Sequence, residues 1–513
     1  MAGLVITQTS GDPNSNPTVR LRGYTSLSGA GDPLYVVDGV IGVPIQTISP
    51  QDIETMDVLK DASASAIYGS RGANGVIIVT TKRGKSGRTT VTFNNYVGIQ
   101  TVAKRLDLLD GPGYVDAVTR IAGPTAFADL QRFPKDASGN YFNTDWFDAV
   151  TRTAPVNNHD ISVSGGSPTF SYRGSLSYID QKGLVKVTGF NRVTARINLD
   201  QKALDNRLNI QYNLAYTENN RQNDNRSPVA NATFFLPTMP NIRNPDGTYP
   251  EVGGSFDLFN PVATQENQIN TSRQGYLQGG MNLRYEVIDG LTLGVNGQLQ
   301  RDNNVGNFAS NAAIKQFSNN NGLSGRDLNQ NSTKLFETTA TYAKDFGGNS
   351  SNYSLLAGYS YQQFDYDGFG AENNGFVTPD INFNNLGLGS GSLVNPSNNY
   401  ATSYRNQNKL ISFFGRATVN LNDRINVTAS LRRDGNSIFG ANNKWGLFPS
   451  AAAGWTISNE GFFPKSSTLN YLKLRVGYGQ TGNSENIFPY SSLQLYGQNG
   501  TYYDGTLNNF LPG

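Results

Sequence analysis

From Arg88 onward the chain alternates between apolar and polar positions. Leu208, Ile210, Tyr212, Leu214 and Tyr216 fall on one side of an extended ribbon, and Asn209, Gln211, Asn213, Ala215 and Thr217 fall on the other. The same period of two runs through Phe170–Tyr178, Leu291–Gln300, Arg424–Arg432 and Leu472–Tyr478. One greasy side and one hydrated side is the pattern of a half-buried strand. Alternation gives roughly thirteen strands, over residues 89–100, 158–165, 168–182, 190–200, 207–219, 272–287, 290–302, 332–346, 352–365, 405–421, 424–434, 446–457 and 469–480.

The connections between these strands decide the architecture. Gly166-Ser167, Gln201–Asn206, Asp289-Gly290, Gly347–Ser351 and Asn422-Asp423 are short turns. Thr101–Asn157, Asn220–Thr271, Asp302–Asn331 and Tyr366–Tyr404 are long, polar and rich in Asn and Gly. Short and long connections are expected to take turns strictly. That is the habit of a transmembrane barrel, with tight periplasmic turns and long outer loops. A two-sheet sandwich gives no reason for it. Phe170, Tyr178, Tyr285, Trp445 and Trp455 sit near strand ends, where an interfacial girdle or cross-strand packing would use them.

The first 85 or so residues follow another rule, with short apolar runs cut by turns. Val19–Arg22, Leu34–Val37, Glu54–Leu59 and Gly75–Thr81 read as strands, and Asp38-Gly39 as a tight turn. Ser49-Pro50-Gln51-Asp52 carries the marks of a helix start, with Ser49 as the cap. Asp61–Tyr68 reads as a short helix capped by Asp61 and stopped by Gly69. The expected fold is therefore a small α/β unit over residues 1–86, followed from residue 87 to 513 by part of an all-β transmembrane barrel.

Composition narrows the chemistry. Mean hydropathy is −0.43 and no apolar run reaches the ~18 residues of a membrane helix, which a barrel does not need. A net charge of +2 gives nucleic acid no foothold. With no cysteine and a single histidine, His159, thiol catalysis, Cys-ligated metal sites and His clusters are excluded. His159 itself reads as a loop or surface residue rather than a catalytic one. Gly84-Lys85-Ser86 lacks the earlier glycine of a phosphate loop, where Val79 stands. Asp365-Tyr366-Asp367-Gly368 has the start of a calcium loop without its later ligands and reads better as a turn. No catalytic, cofactor or metal residue is singled out, and an enzyme is not expected.

Three stretches carry a specific resemblance. TVRLRG (Thr18–Gly23), DPLYVVDGV (Asp32–Val40) and IETMDVLKDASASAIYGSRGANGVIIVTT (Ile53–Thr81) resemble the plug of TonB-dependent receptors, and in particular the SusC/RagA family of Bacteroidota. DGNSIF (Asp434–Phe439), KWGLFPS (Lys444–Ser450), AGWTIS (Ala453–Ser458) and LKLRVGYGQTG (Leu472–Gly482) resemble that family's barrel. The plug signature falls on Arg22, Gly23, Asp38, Gly39, Lys60, Asp61, Tyr68, Gly69, Arg71, Gly72 and Gly75. Its glycines Gly69, Gly72 and Gly75 read as turn and helix-end residues rather than ligand contacts.

The resemblance implies import of oligosaccharides, or of peptides, across the outer membrane. It implies drive from a TonB–ExbB–ExbD complex and a SusD-like surface lipoprotein as lid. It also implies a barrel of about 22 strands, of which roughly thirteen are counted here. The start at Met1-Ala2-Gly3-Leu4 resembles plug interior, with signal peptide, Ton box and first plug strands lacking. The expectation is a piece truncated at both ends and inactive by itself. Aromatic residues of one outer loop, Phe234, Phe235, Tyr249, Phe256 and Phe259, are candidates to stack on a sugar ligand, and equally to pack the loop or to meet the lipoprotein. The rival readings are a passive porin, which needs no folded unit before Arg88, and a surface glycan-binding β protein, which needs no rule of loop length.

Overall fold

Short apolar runs and long alternating runs fold into two different objects. The computed structural model describes residues 3–8, 11–21, 23, 31–61, 66–127, 133–224, 228–241, 243–252, 258–315, 318, 321–347, 350–378, 382–391, 401–464, 468–484, 487, 489–490, 492–493, 496–497 and 511–512.

The first unit contains β1 (Leu4–Thr7), β2 (Thr18–Leu21), β3 (Leu34–Val37), β4 (Val40–Ile41), β5 (Ile53–Leu59) and β6 (Val76–Thr81). β1 and β2 form an antiparallel pair, and the others form a sheet in the order β4-β3-β6-β5, with β3 parallel to β6. Val37, Val40, Val76 and Val79 are buried on this sheet, as continuous apolar strands require. Asp38 and Gly39 adopt φ of +50° and +85°, the two left-handed positions of a tight hairpin turn between β3 and β4. The Asp38 carboxylate then accepts from the Thr81 amide at 2.9 Å and hydroxyl at 2.6 Å, tying the turn to the end of β6.

Two expectations for this unit change. Pro50–Asp52 is a single 3-10 turn rather than a helix start, and the Ser49 side chain makes no capping bond. Its hydroxyl donates instead to Asp160, 111 residues on, at 3.0 Å. Within the expected helix Asp61–Tyr68, residues 62–65 lie outside the described residues. Asp61 lies in a bend outside any helix, and Ala66–Tyr68 belong to a 3-10 segment, Ala66–Arg71, broken where Gly69 takes φ +61°.

The second unit is one antiparallel meander: β7 (Gly87–Gln100), β8 (Ala154–Gly166), β9 (Phe170–Lys182), β10 (Gly189–Ala203), β11 (Leu208–Gln222), β12 (Gln268–Ile288), β13 (Leu291–Ser310), β14 (Leu323–Phe346), β15 (Ser351–Asn374), β16 (Ala401–Leu421), β17 (Ile425–Asn436), β18 (Trp445–Thr456) and β19 (Lys473–Gly479). These thirteen strands pair strictly in chain order, with β7 and β19 at the edges.

The sheet is turned inside out relative to a soluble protein. Leu176, Ile197, Leu214, Leu293, Phe336, Leu355, Phe413 and Leu431 point outward and are exposed. Asn158, Ser177, Thr194, Asn198, Asn213, Gln278, Gln298 and Gln362 alternate with such positions and are buried. Apolar side chains outside and polar ones inside suit a wall with lipid on its outer face. His159 lies on the exposed side of β8, its ring parallel to that of Tyr178 at 6.4 Å.

Several glycines of the wall pair directly with an aromatic residue on the next strand. Gly325 opposes Phe308, Gly358 opposes Phe414, Gly368 opposes Tyr404 and Gly435 opposes Trp445. In each case a methyl on the glycine would run into the opposing ring. The missing side chain lets the ring lie flat against the sheet, which restores the packing that glycine alone forfeits.

The strands run further outward than their alternation. β13 and β14 remain paired as far as Ser310 and Leu323, so the expected loop Asp302–Asn331 shrinks to residues 311–322. Likewise β15 and β16 extend to Asn374 and Ala401. Beyond the membrane both faces are hydrated, so nothing selects an apolar face and the period disappears while the ladder continues. The strict rule of loop length also fails at residues 183–188 and 457–472, a short outer and a long inner connection. The outer one is short because it is roofed: Lys186 donates to the Val150 carbonyl and Arg152 to that of Leu184.

The two longest outer loops, 101–153 and 223–267, fold on each other. Phe133, Trp146, Val150, Ala232, Phe235, Leu236, Met239 and Val252 form a shared core. Trp146 meets Phe235 edge to face at 4.9 Å, and its indole N–H donates to the Leu236 carbonyl at 2.9 Å. The helix Gly111–Ala122 is capped by Asp110, and Pro261–Glu266 by Asn260.

Candidate functional site

The inward polar residues of the wall find their partners on the first unit, which sits inside the curve of the sheet. Asp52 is clamped by Arg173 and by the Ser175 hydroxyl, each at 2.9 Å. Asn198 donates to the Thr81 hydroxyl and the Lys82 carbonyl, and Arg83 pairs with Asp200 at 2.8 Å. Gln298 and Gln300 donate to the Gly39 and Ile41 carbonyls, and Thr217 to that of Thr47. Arg192 donates to the Gln46 carbonyl. The contact surface thus carries a belt of hydrogen bonds and ion pairs, and Tyr276 of the wall packs into the apolar core of the first unit.

Arg196 is the odd member of this belt. It is buried, 3.7 Å from Asp38 and 3.9 Å from Asp52, and none of its guanidinium nitrogens has a direct hydrogen-bond partner. An inward-facing arginine inside an alternating strand was a legible signal, because a charge there needs a partner across the lumen. The identity of that partner was not legible.

A second clamp joins the two stretches that carried the resemblance. Arg432 pairs with Asp434 at 2.7 Å and donates to the Ile67 carbonyl at 2.6 Å, while Asp434 accepts from the Ser70 amide at 3.1 Å. A methyl on Gly69 would collide with both side chains. Gly69 therefore serves close approach to the wall as well as backbone freedom. Gly75, at φ +85°, has no room for a methyl beside Leu21.

Among the other signature positions, Gly72 is buried, with its amide donating to the Gly69 carbonyl at 3.2 Å. Tyr68 and Arg71 flank the Gly69 break, and burial raises the Tyr68 phenol. Lys60 and Asp61 follow β5, and Gly23, at φ +89°, follows β2. Arg22 lies outside the described residues.

Between this unit and the wall lies a chamber of about 880 Å³. Asp32, Tyr35 and Arg71 line it on one side, and Phe364, Tyr366, Tyr404, Asn406 and Asn408 on the other. Burial and the nearby Asp32 charge raise the Tyr35 phenol, which stays a neutral donor. Asp365-Tyr366-Asp367-Gly368 is neither a turn nor a calcium loop but the middle of β15, paired with Tyr404–Gln407. Asp365 accepts from Gln363 and Gln407. Among the described residues no group of three or more His, Cys, Asp or Glu could hold a metal.

The candidate loop aromatics are scattered. Phe234 is exposed and Phe259 half-buried. Phe235 is 3 % exposed within the loop core, and Tyr249 is 8 % exposed, its phenol donating to Glu266 at 2.6 Å. These two pack the loop, which leaves a ligand little of either ring. Phe256 lies outside the described residues.

A folded polar plug held within an apolar-faced β wall is the arrangement of a gated outer-membrane channel, and the comparisons with known proteins agree. The family model TonB-dependent Receptor Plug Domain matches residues 1–76, and the family model TonB dependent receptor-like, beta-barrel matches residues 377–511. The chain belongs to the TonB-dependent receptors.

It is 34 % identical to TonB-dependent receptor P26 of Formosa agariphila, over 98 % of this chain and 51 % of that protein. It is 31 % identical to TonB-dependent receptor SusC of Bacteroides thetaiotaomicron, over 98 % of this chain and 51 % of SusC. The RagAB peptide importer structure superposes with a TM-score of 0.83 at 26 % identity, covering 100 % of this chain and 60 % of that one. The siderophore receptor PirA of Acinetobacter baumannii shares the fold, with a TM-score of 0.53 at 14 % identity, over 94 % of this chain and 58 % of PirA. The chain spans about half the length of the curated relatives it matches. This TonB-dependent receptor is an outer-membrane β-barrel protein of SusC and RagA type.

Proposed function

We propose that the whole protein imports oligosaccharides or peptides across the outer membrane, driven through a TonB–ExbB–ExbD complex. The observation that carries this reading is the belt of polar contacts seating a folded plug in the lumen. A seated plug blocks passive flow, so passage needs work, and these 513 residues carry no phosphate-loop motif to supply it locally. The likeness to SusC and to the RagAB peptide importer supports uptake of chain-like nutrients. A SusD-like lipoprotein is the proposed lid over the outer loops. Residues 1–86 act as plug and the strands from residue 87 as wall, and transport rather than catalysis is the task. Phe234 and Phe259 are the proposed loop contacts to ligand, with Phe235 and Tyr249 shaping the loop that presents them.

The test is made in cells carrying the full-length protein. Deleting the segment that meets TonB is expected to abolish uptake of labelled oligosaccharides and peptides while surface binding persists. Undiminished uptake would remove the energised mechanism.

A further inference from the structure

The outward face of the wall changes from hydrocarbon to charge along one line. On β13 the outward positions Leu291, Leu293, Val295, Gly297 and Leu299 end at Arg301. On β14 Phe336, Thr338, Ala340 and Tyr342 run between Lys334 and Lys344. On β17 Ile425, Val427, Ala429 and Leu431 run between Arg424 and Arg433. The nine residues 335–343 and the eight residues 425–432 come close to the roughly 9–11 residues with which a tilted strand crosses a bilayer. On β16, Lys409 stands two residues outside Ile411 in the same way. Arg301, Lys334, Lys409 and Arg433 thus mark one edge of the apolar band, the edge toward the outer loops.

These four cations form a line across neighbouring strands. Lys334 opposes Gln363 on β15, which opposes Lys409 on β16. Arg301 lies two residues beyond Leu299, the partner of Lys334 on β13. Arg433 opposes Phe413, four residues inside Lys409. The line steps down the register from strand to strand, as level positions on tilted barrel strands do. All four residues are exposed. Among the described residues the side chains of Arg301, Lys334 and Lys409 have no hydrogen bond or ion pair, and Arg433 lies over the Trp445 ring at 4.8 Å. Trp445 stacks on Phe413 at 6.4 Å, an aromatic pair at the height where a membrane interface holds such rings. One carboxylate, Asp365, stands beside the line, and it already accepts from Gln363 at 3.0 Å and Gln407 at 2.7 Å. At the opposite edge of the band the cations are neutralised within the chain, Lys344 by Asp289 and Arg424 by Glu460 at 3.3 Å.

Uncompensated cations in a row at headgroup depth attract anions that are fixed at that depth. Arginine takes phosphate oxygens through its fork and lysine as a point charge. We propose that Arg301, Lys334, Lys409 and Arg433 form a docking strip for a phosphate-bearing lipid headgroup of the outer leaflet. Its acyl chains would lie on Leu299, Phe336 and Phe413 below. The strip is on the outside of the wall, away from plug and chamber, and it stands whatever the protein imports.

The test is binding of fluorescent diphosphoryl lipid A to the full-length protein in dodecyl maltoside. The comparators are the same lipid with both phosphates removed and inorganic phosphate as a competitor. The diphosphoryl lipid is expected to bind at least tenfold more tightly than the dephosphorylated one. Raising ionic strength from about 0.1 M to 1 M, which shortens the Debye length from about 10 Å to 3 Å, should weaken it fivefold or more. Lys334→Gln combined with Lys409→Gln should weaken it tenfold or more, with heat-resistant mobility on gels unchanged. Lys344→Gln, at the neutralised edge, should weaken it less than twofold. Equal binding of the two lipids by the wild-type protein would overturn the strip, and so would indifference to the double substitution. Displacement of the lipid by an equal concentration of inorganic phosphate would reveal a free-anion site and would also overturn it. If the double variant loses its heat-resistant mobility, the wild-type phosphate and salt comparisons decide alone.

Discussion

Glu251 shows how an outer loop can record pH through one side chain. It accepts the Asn260 amide at 3.3 Å, and burial lifts its carboxyl to about 7 against the smaller opposing pull of Lys315. A carboxyl with a raised folded value binds its proton more tightly in the folded loop than in the unfolded one. Its contribution is therefore complete below the ordinary Glu value near ~4.3 and is lost as pH rises through about 7. Hydrogen exchange of residues 243–267 in the intact protein should accelerate between pH 5 and pH 8, by an opening free energy on the order of 2 kcal/mol or less. Glu251→Gln should flatten that dependence; an unchanged slope would place the titration elsewhere. The residue scale also marks what a single sequence hides. Ser49 had every local sign of a helix cap, yet its hydroxyl is spent on Asp160 in the wall. No local pattern records a partner 111 residues away.

At the scale of elements, alternation was a faithful guide wherever a membrane-facing side had to be apolar. Leu208–Tyr216 and Leu291–Gln300 fall within β11 and β13 as expected. It failed where both sides are wet, as at Asn303, Asn304 and Asn307, which continue β13 with no apolar face to betray them. The folded module above the wall was equally illegible. Its core pairs Trp146 from one loop with Phe235 from another, 89 positions apart, and neither loop shows a period. Trp146→Ala removes a buried ring and a hydrogen bond from that core, a loss of about 3–5 kcal/mol. Outer loops 101–153 and 223–267 should then become sensitive to added protease, while strands β7–β19 keep their heat-resistant mobility on gels. Protease resistance equal to the wild type would show that the loops hold together by other contacts.

For the whole molecule the inverted distribution of polarity governs stability. Leu214 points outward from β11 between Tyr212 and Tyr216. Leu214→Arg places a charge against hydrocarbon, at a cost of about 2–4 kcal/mol near the midplane. Asn296→Arg faces the lumen opposite Glu337 and should cost less. Urea titration of the full-length barrel in lipid vesicles separates them, and equal losses would mean that lipid does not cover the outer face. The wall and its plug were readable because solvent on one side and lipid on the other impose a period. The chamber was not, because Tyr404, Tyr366 and Arg71 meet there only through closure of strands around a distant unit.

The seam between plug and wall has a mechanical corollary. An oily joint resists separation until much of its area parts at once, because water gains nothing from touching it. Here Asp52, Asn198, Gln298 and Arg432 each hold a bond that a solvent molecule can take over as it opens. Tugging from one end would unfasten such a joint stitch by stitch, at a peak force set by the strongest single stitch rather than by their sum.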